Sequence, residues 1–383
     1  MTKASRDFQV FAKPIGAACN LACHYCYYLD KQEANRNVES YRMPYDLLEE
    51  YIVQHIEASP GRVVGFSWHG GEPTLLGLKY FRKIVDLQRK HKPLDVRIFN
   101  GIQTNGTLLD DEWCRFLKAE QFGVGLSLDG PGEMHDRYRV TKAGGPSYER
   151  AMRGYSLLRQ YRVPFDLLCV VHAENVQYPI QLYRFFKQIG AGYIGFLPLV
   201  ECLSGVGETV SPHTVPAEAF GTFLCAIFDE WLREDIGRVK VQIFEEAAAT
   251  AMGQEHSLCV FRKTCGDVPV IEHNGDFFSC DHFVDNEHRL GNILEIPLVE
   301  LLESQAQRAF GQIKSDGLPG GCQACEVLPM CNGGCPKDSF LHTPDGEAGL
   351  NYLCAGYKRF FNHCRPFIER LSALARQIGS ATF

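Results

Sequence analysis

From residue 44 onward the apolar positions recur at two alternating spacings. "PYDLLEEYIVQHIEA" (44–58) carries them at helical period behind Pro44, and "RVVGFSW" (62–68) is a short run of strand formers. The pair then repeats: "LKYFRKIVDLQRKH" before "VRIFNGIQT", "DEWCRFLKAE" before "GVGLSLD", "YERAMRGYSLLRQY" before "PFDLLCVV", and "YPIQLYRFFKQI" before "YIGFLPLV". Such a series predicts an α/β fold with a parallel sheet, open or closed into a partial (β/α)6 TIM-like barrel.

Polar punctuation sits where those strands end. "HGGEP" (69–73), "QTNGT" (103–107) and "SLDGP" (127–131) each close a strand, and Cys19 to Cys26 follow the apolar "FQVFAKPIG". Loops at the carboxyl ends of parallel strands gather ligand chemistry, although glycine-rich turns also end strands that bind nothing. From about residue 255 cysteines become dense, and "PVIEHNGDFFSCDHFV" reads as a hairpin whose Asn274-Gly275 turn suits type I′. The expected division is 1–238 for the barrel and 239–383 for a small cysteine-rich α+β domain, with helical "AEAFGTFLCAIFDEWLRED" (217–235) bridging them.

The 383 residues, 45% of them apolar, can bury a large core. A net charge of −7 leaves no basic footprint for nucleic acid or an anionic membrane. The N-terminal "MTKASRDFQVFAKPIG" has no signal-type apolar region, and no stretch reaches the roughly 18 apolar residues of a membrane span, so a cytoplasmic protein is expected. Sixteen cysteines in a reducing compartment point to metal or cluster ligation rather than disulfides.

"CNLACHYCYY" (19–28) offers Cys19, Cys23 and Cys26 in one loop. Three thiolates can hold three corners of an iron-sulfur cube and leave one iron open to a small chelating molecule. Zinc completed by His24 or a distant ligand is the alternative, though zinc favours cysteine pairs and no second pair lies nearby. The spacing, with Tyr25 before the third cysteine, resembles the radical S-adenosylmethionine enzymes. That resemblance implies S-adenosylmethionine bound by backbone groups of Gly70, Gly71 and Glu72, by Ser127 and Arg139 at the ribose and carboxylate, with Gln103, Asn105 and Arg153 as further contacts. Tyr25 and Val200 would lie against the adenine; Arg139 could instead be a solvated charge in "DRYRVTK".

Cys259, Cys265, Cys280, Cys322, Cys325, Cys331, Cys335 and Cys354 suffice for two 4Fe-4S clusters or two zinc sites, and spacing alone does not separate these. "CQACEVLPMCNGGC" followed by a lone cysteine resembles the SPASM extension of peptide-modifying radical enzymes. From about residue 10 to 365 the chain is similar to the anaerobic sulfatase-maturating enzymes, on "CNLACHYCYY", "WHGGEPTL", "IQTNGTLL", "GLSLDGP", "SCDHFV", "RLGNI", "CNGGCPK" and "GLNYLC". The resemblance implies one auxiliary cluster on Cys259, Cys265, Cys280 and Cys335, another on Cys322, Cys325, Cys331 and Cys354, and three 4Fe-4S clusters in all. Cys114, Cys169, Cys202, Cys225 and Cys364 are expected to be non-ligands.

The implied activity is oxygen-independent conversion of a sulfatase cysteine, or serine, to Cα-formylglycine, begun by a 5′-deoxyadenosyl radical that takes hydrogen from Cβ. Asp281, directly after Cys280, is the implied base; a cap or salt link in the hairpin is its structural alternative, and His282 and Asp276 are nearby competitors. His69 and Tyr28 are candidates for lining the peptide site. The expected partners are a sulfatase polypeptide with a C/S-x-P/A-x-R motif and an electron donor such as flavodoxin or ferredoxin. Rival readings are a thioether-forming or alcohol-oxidising SPASM enzyme and a non-catalytic zinc-binding protein. About 18 residues precede Cys19, which argues against the extra N-terminal recognition domain expected of a thioether enzyme.

Overall fold

The computed structural model describes residues 3–28, 41–203 and 208–380. They fall into two compact units, one of Met1–Leu128, His135–Asp166 and Gly266–Gly311, the other of Asp129–Met134, Leu167–Cys265 and Gln312–Phe383.

In the first unit β1 (Phe11–Lys13), β2 (Val63–Trp68), β3 (Arg97–Thr104) and β4 (Gly123–Ser127) run parallel in that order, with Phe11 opposite Ser67 and Ile102 opposite Val124. The crossovers carry α1 (Tyr45–Ala58), α2 (Leu78–His91) and α3 (Asp111–Ala119), and α4 (Tyr148–Gln160) follows β4. Asp110 starts α3 by accepting the Trp113 N–H at 2.8 Å, a cap of about 1 kcal/mol. Alternate side chains of β2 point inward, so Phe66 and Trp68 stack 5.8 Å apart between Tyr51 and Phe81. The buried Trp68 indole donates to Asn100 Oδ1 at 2.9 Å, and Gln88 exchanges two 2.9 Å bonds with Asn100, so this polar group inside the core is satisfied.

β1 has a second neighbour. The hairpin strand β8 (Val270–Glu272) pairs parallel with it, Val270 opposite Phe11, while β9 (Asp276–Phe278) and β10 (Arg289–Asn292) continue the sheet antiparallel. The turn between β8 and β9 is not type I′. The Gly275 N–H donates to the Glu272 carbonyl at 3.0 Å, and Gly275 alone turns left-handed, at φ +88°. Asn274 escapes the left-handed region because its side chain is held by Asp276, accepting its N–H at 3.1 Å and donating to its carboxylate at 2.8 Å, which favours the longer turn with a glycine bulge.

In the second unit β5 (Phe165–Val171) pairs parallel with β6 (Tyr193–Pro198), and β6 with β7 (Lys240–Val241). Between them run α5 (Pro179–Ile189) and α6 (Ala217–Glu234), and after β7 comes α7 (Gln242–Ala251). The helix α8 (Gln305–Asp316) enters this unit at Gln312, and the unit closes with α9 (Cys354–Ser380). Phe228, Trp231, Phe244, Phe360 and Phe367 form an aromatic cluster where α6, α7 and α9 meet, with Phe228 edge-on to Phe244 and Phe360. The helices α6 and α9 touch through glycine: a Cβ on Gly356 would stand 2.2 Å from the Ala217 carbonyl oxygen. No described helix is long and apolar enough to cross a membrane.

Candidate functional site

Within the first unit the cysteine loop grows directly out of β1. Gly16, at φ +54°, turns the chain back with its N–H on the Lys13 carbonyl at 2.9 Å. The strand-end glycines of β2 then grip the loop through backbone: Gly71 N–H donates to Gly16 O at 2.7 Å and Glu72 N–H to Ala18 O at 2.9 Å. A Cβ on Gly71 would lie 2.1 Å from Ala18 O, so no side chain fits there. On its far side the loop is pinned by Ala22 N–H to Val140 O at 2.8 Å and His24 N–H to Tyr138 O at 2.9 Å. Cys19 Sγ accepts the Leu21 N–H at 3.4 Å, and burial pushes its thiol up to about 11. An iron on that sulfur displaces a proton that solvent alone does not remove.

Of the residues expected around the cofactor, Gln103 and Ser127 stand at the ends of β3 and β4, Arg139 follows β4 and Arg153 lies on α4. Gln103 donates to Ser127 Oγ at 3.0 Å and lies over Gly125, where a Cβ would meet it at 2.0 Å. Arg139, nearly buried, holds its guanidinium 5.5 Å from the Tyr25 ring centre. Arg153 donates to the Thr107 carbonyl at 3.1 Å. The side chains of two of the expected residues, Glu72 (expected to act through its backbone) and Asn105, are committed to the protein. The fully buried Glu72 carboxylate accepts from Thr74 N–H, Thr74 and Thr104 hydroxyls, and Asn105 N–H; burial pushes its pKa up against these bonds. Asn105 donates to Asn20 Oδ1 at 2.9 Å and accepts from the Thr107 hydroxyl at 2.7 Å, so it braces the cysteine loop. Gly70 sits at φ +133° ahead of Gly71. Val200 follows β6 in the second unit.

A cavity of about 280 Å³ opens among β2, β3 and β4, lined by Ser67, His69, Gln103 and the glycines 101, 123 and 125. His69 stacks on Phe11 at 4.0 Å with its Nε2 2.9 Å from Ser67 Oγ; burial pushes its pKa down to about 4, which keeps it neutral.

Asp281, 8% exposed, is ion-paired with Lys13, itself 2% exposed, and accepts a hydrogen bond from the Tyr27 hydroxyl. Burial alone pushes the Asp281 carboxyl up, but the charge of Lys13, then that of His282, and the Lys13 and Tyr27 hydrogen bonds hold it well below the usual carboxylate range. Lys13 also lies 3.4 Å from the centre of the Tyr28 ring, whose hydroxyl donates to the buried Glu272. Tyr27 is in electrostatic reach of both Cys26 and Cys280. The competitor Asp276 is engaged by Arg289 at 2.6 Å and by Asn292 at 3.0 Å, which fixes it in the hairpin; His282 packs on Tyr27 with ring centres 5.1 Å apart.

The second unit gathers Cys322, Cys325, Cys331 and Cys354 around one cavity with an apolar wall of Val327, Leu328 and Tyr357. Cys331 ends a helical turn, after which Asn332, Gly333 and Gly334 all adopt positive φ (43°, 80° and 74°), so "CNGGC" reverses sharply. Cys354 opens α9. Burial raises the thiols of Cys322, Cys354 and Cys331, the last to about 11. Four soft sulfurs in a water-poor cavity suit a thiolate-bound iron-sulfur cluster. Cys259, Cys265 and Cys335 lie elsewhere in this unit, around the buried Lys314; Cys280 lies in the first unit after β9. Of the remaining cysteines Cys114, Cys169 and Cys364 are buried, Cys225 half-buried and Cys202 exposed.

Lys13, Tyr27, Glu272 and Lys314 escaped the sequence reading. A lone lysine inside the apolar "FQVFAKPIG" was the available signal for Lys13; the others sit in ordinary contexts.

The radical SAM superfamily profile matches residues 14–186, and that of an iron-sulfur cluster-binding domain, SPASM, matches 259–326. The chain is 43% identical to a serine-type anaerobic sulfatase-maturating enzyme of Bacteroides thetaiotaomicron over 95% of this chain and 91% of the relative. It is 34% identical to a cysteine-type enzyme of Clostridium perfringens over 92% and 95%. The solved structure of native anSMEcpe with bound AdoMet superposes with a TM-score of 0.86 at 32% identity, covering 95% of this chain and 99% of that one.

Proposed function

The chain belongs to the anaerobic sulfatase-maturating enzymes, and we propose that its site oxidises a cysteine or serine in a C/S-x-P/A-x-R segment of a sulfatase to Cα-formylglycine, using Asp281 as the base. It is a radical SAM oxidoreductase with a SPASM iron-sulfur domain. In our reading residues 1–238 form the radical SAM part and 239–383 the SPASM part. Cys19, Cys23 and Cys26 hold the cluster that meets S-adenosylmethionine, and we assign one further cluster to Cys259, Cys265, Cys280 and Cys335 and another to Cys322, Cys325, Cys331 and Cys354.

When bound, the three-cysteine cluster supplies the electron that splits S-adenosylmethionine into methionine and a 5′-deoxyadenosyl radical. The chain's part is to bind and orient. Main-chain groups of Gly70, Gly71 and Glu72 take the cofactor's amino group; Ser127, Gln103, Arg139 and Arg153 take its ribose and carboxylate; Tyr25 and Val200 flank its adenine. Asn105 acts indirectly by holding the cysteine loop. His69 and Tyr28 face the peptide. Asp281 removes the substrate thiol or hydroxyl proton, with its carboxylate kept ionised by Lys13 and aimed by Tyr27.

The observation that supports this reading is the backbone grip of Gly71 and Glu72, just beyond β2, on the cysteine loop that grows out of neighbouring β1. We assign the electron donor to the flavodoxin or ferredoxin class and the site of action to the cytoplasm. The test is an anaerobic incubation of reconstituted enzyme, S-adenosylmethionine and reductant with peptides carrying C-x-P-x-R or S-x-P-x-R. Formylglycine by mass spectrometry, matched by 5′-deoxyadenosine, is the expected result; cofactor cleavage without aldehyde in either peptide refutes the assignment.

A further inference from the structure

Lys314 is 4% exposed, on the last turns of α8. Its ammonium donates to two backbone carbonyls, Val260 O at 2.8 Å and Cys259 O at 3.1 Å, which engage at most two of its three N–H groups. Among the described residues no carboxylate balances its charge. The thiols of Cys265, Cys335, Cys259 and Cys331 are in electrostatic reach.

A buried ammonium without an anion is costly enough that proteins pair it or neutralise it. The environment of Lys314 therefore fits a site that becomes anionic when loaded, and three of the four nearby cysteines are those assigned to one auxiliary cluster. A cluster held by thiolates carries net negative charge and gains one more unit on one-electron reduction. A fixed cation beside it stabilises the reduced form more than the oxidised one, and nearby charge is among the levers that set such potentials.

We propose that Lys314 is the internal counter-cation of the auxiliary cluster whose assigned ligands include Cys259, Cys265 and Cys335, and that it raises the reduction potential of that cluster. It is a positioning and tuning residue that touches neither substrate nor S-adenosylmethionine. The inference rests on the ligand assignment under the proposed function.

The test uses the full chain, reconstituted anaerobically, in Lys314→Met, Lys314→Gln and Lys314→Arg forms. Iron content and an EPR-monitored redox titration are read on each, and the signal of interest is the one that disappears in Cys335→Ala. With iron retained, Lys314→Met and Lys314→Gln are expected to weaken reduction at least tenfold, a downward shift of about 59 mV or more for a one-electron couple, while Lys314→Arg stays near the parent. An unchanged potential in Lys314→Met or Lys314→Gln overturns the role of Lys314 and leaves the ligand set standing. Loss of this cluster from all three variants also overturns it, because the residue would then build the site rather than tune it. Full iron content in Cys335→Ala overturns the ligand assignment itself, and the inference with it.

Discussion

The Lys13 ammonium and the Asp281 carboxylate form a largely buried ion pair, one at the end of β1 and the other just beyond β9. The pair keeps Asp281 charged and oriented in a place where burial would otherwise protonate it. Asp281→Asn keeps the shape and removes the basicity. It is expected to retain its iron and its 5′-deoxyadenosine production while formylglycine falls about 100-fold or more, measured by parallel quantitation of both products.

Lys13→Met leaves a buried carboxylate without its cation. A loss on the order of 3–5 kcal/mol is expected in the first unit, read from anaerobic urea denaturation, and Lys13→Met combined with Asp281→Asn should recover part of it. An additive double variant would mean the two groups are not coupled.

Gly71→Ala forces a methyl against the Ala18 carbonyl, where 2.1 Å is available. Backbone contact leaves no flexible neighbour to yield, so the cysteine loop must move. Affinity for S-adenosylmethionine should drop at least tenfold in equilibrium dialysis, whereas Gly77→Ala, which meets open space, tests whether backbone strain at φ +76° alone has any such effect.

Acid sensitivity is expected from Glu246, which anchors the segment leading to Cys259. Burial pushes its carboxyl up, but bonds from His256 Nδ1 at 2.9 Å, from Ser257, and from Leu258 N–H at 3.1 Å outweigh it and hold the pKa below the ordinary value. The unfolded chain binds this proton more readily than the folded one. Its contribution is therefore complete above about pH 4.3 and declines as pH falls below that. Glu246→Gln should flatten this part of the pH–stability curve; an identical slope in both proteins would rule Glu246 out as its source.

Gly356→Ala sets a methyl 2.2 Å from the Ala217 carbonyl where α9 crosses α6. About 1–3 kcal/mol of stability should be lost. Because Cys354 opens α9, the proposed ligand set predicts a loss of about four iron atoms, while spectra of the cluster proposed for Cys19, Cys23 and Cys26 persist.

The alternation of helix and strand was legible because each repeat is local: apolar spacing marks α1 through α6 and β2 through β6 within a residue or two. The cysteine loop and the "GGEP" turn were legible for the same reason, since their chemistry is carried by adjacent residues. Lys13, Tyr27 and Glu272 were not, because their meaning comes from Asp281 and Tyr28, which the chain supplies from a distant segment. The hairpin was visible, whereas its parallel pairing with β1 was not, since a three-residue strand carries no signal of its neighbour. The turn type was misjudged because Asn274 prefers its own side-chain bonds with Asp276 to the left-handed backbone that type I′ demands.

The ladder between β1 and β8 also orders events during synthesis. Phe11 emerges from the ribosome long before Val270, so the opening strand waits with one edge unsatisfied while most of the polypeptide is still being made. The amino-terminal cysteines hence acquire their final surroundings only after the hairpin has been translated, and a nascent chain halted before it would carry a half-built pocket.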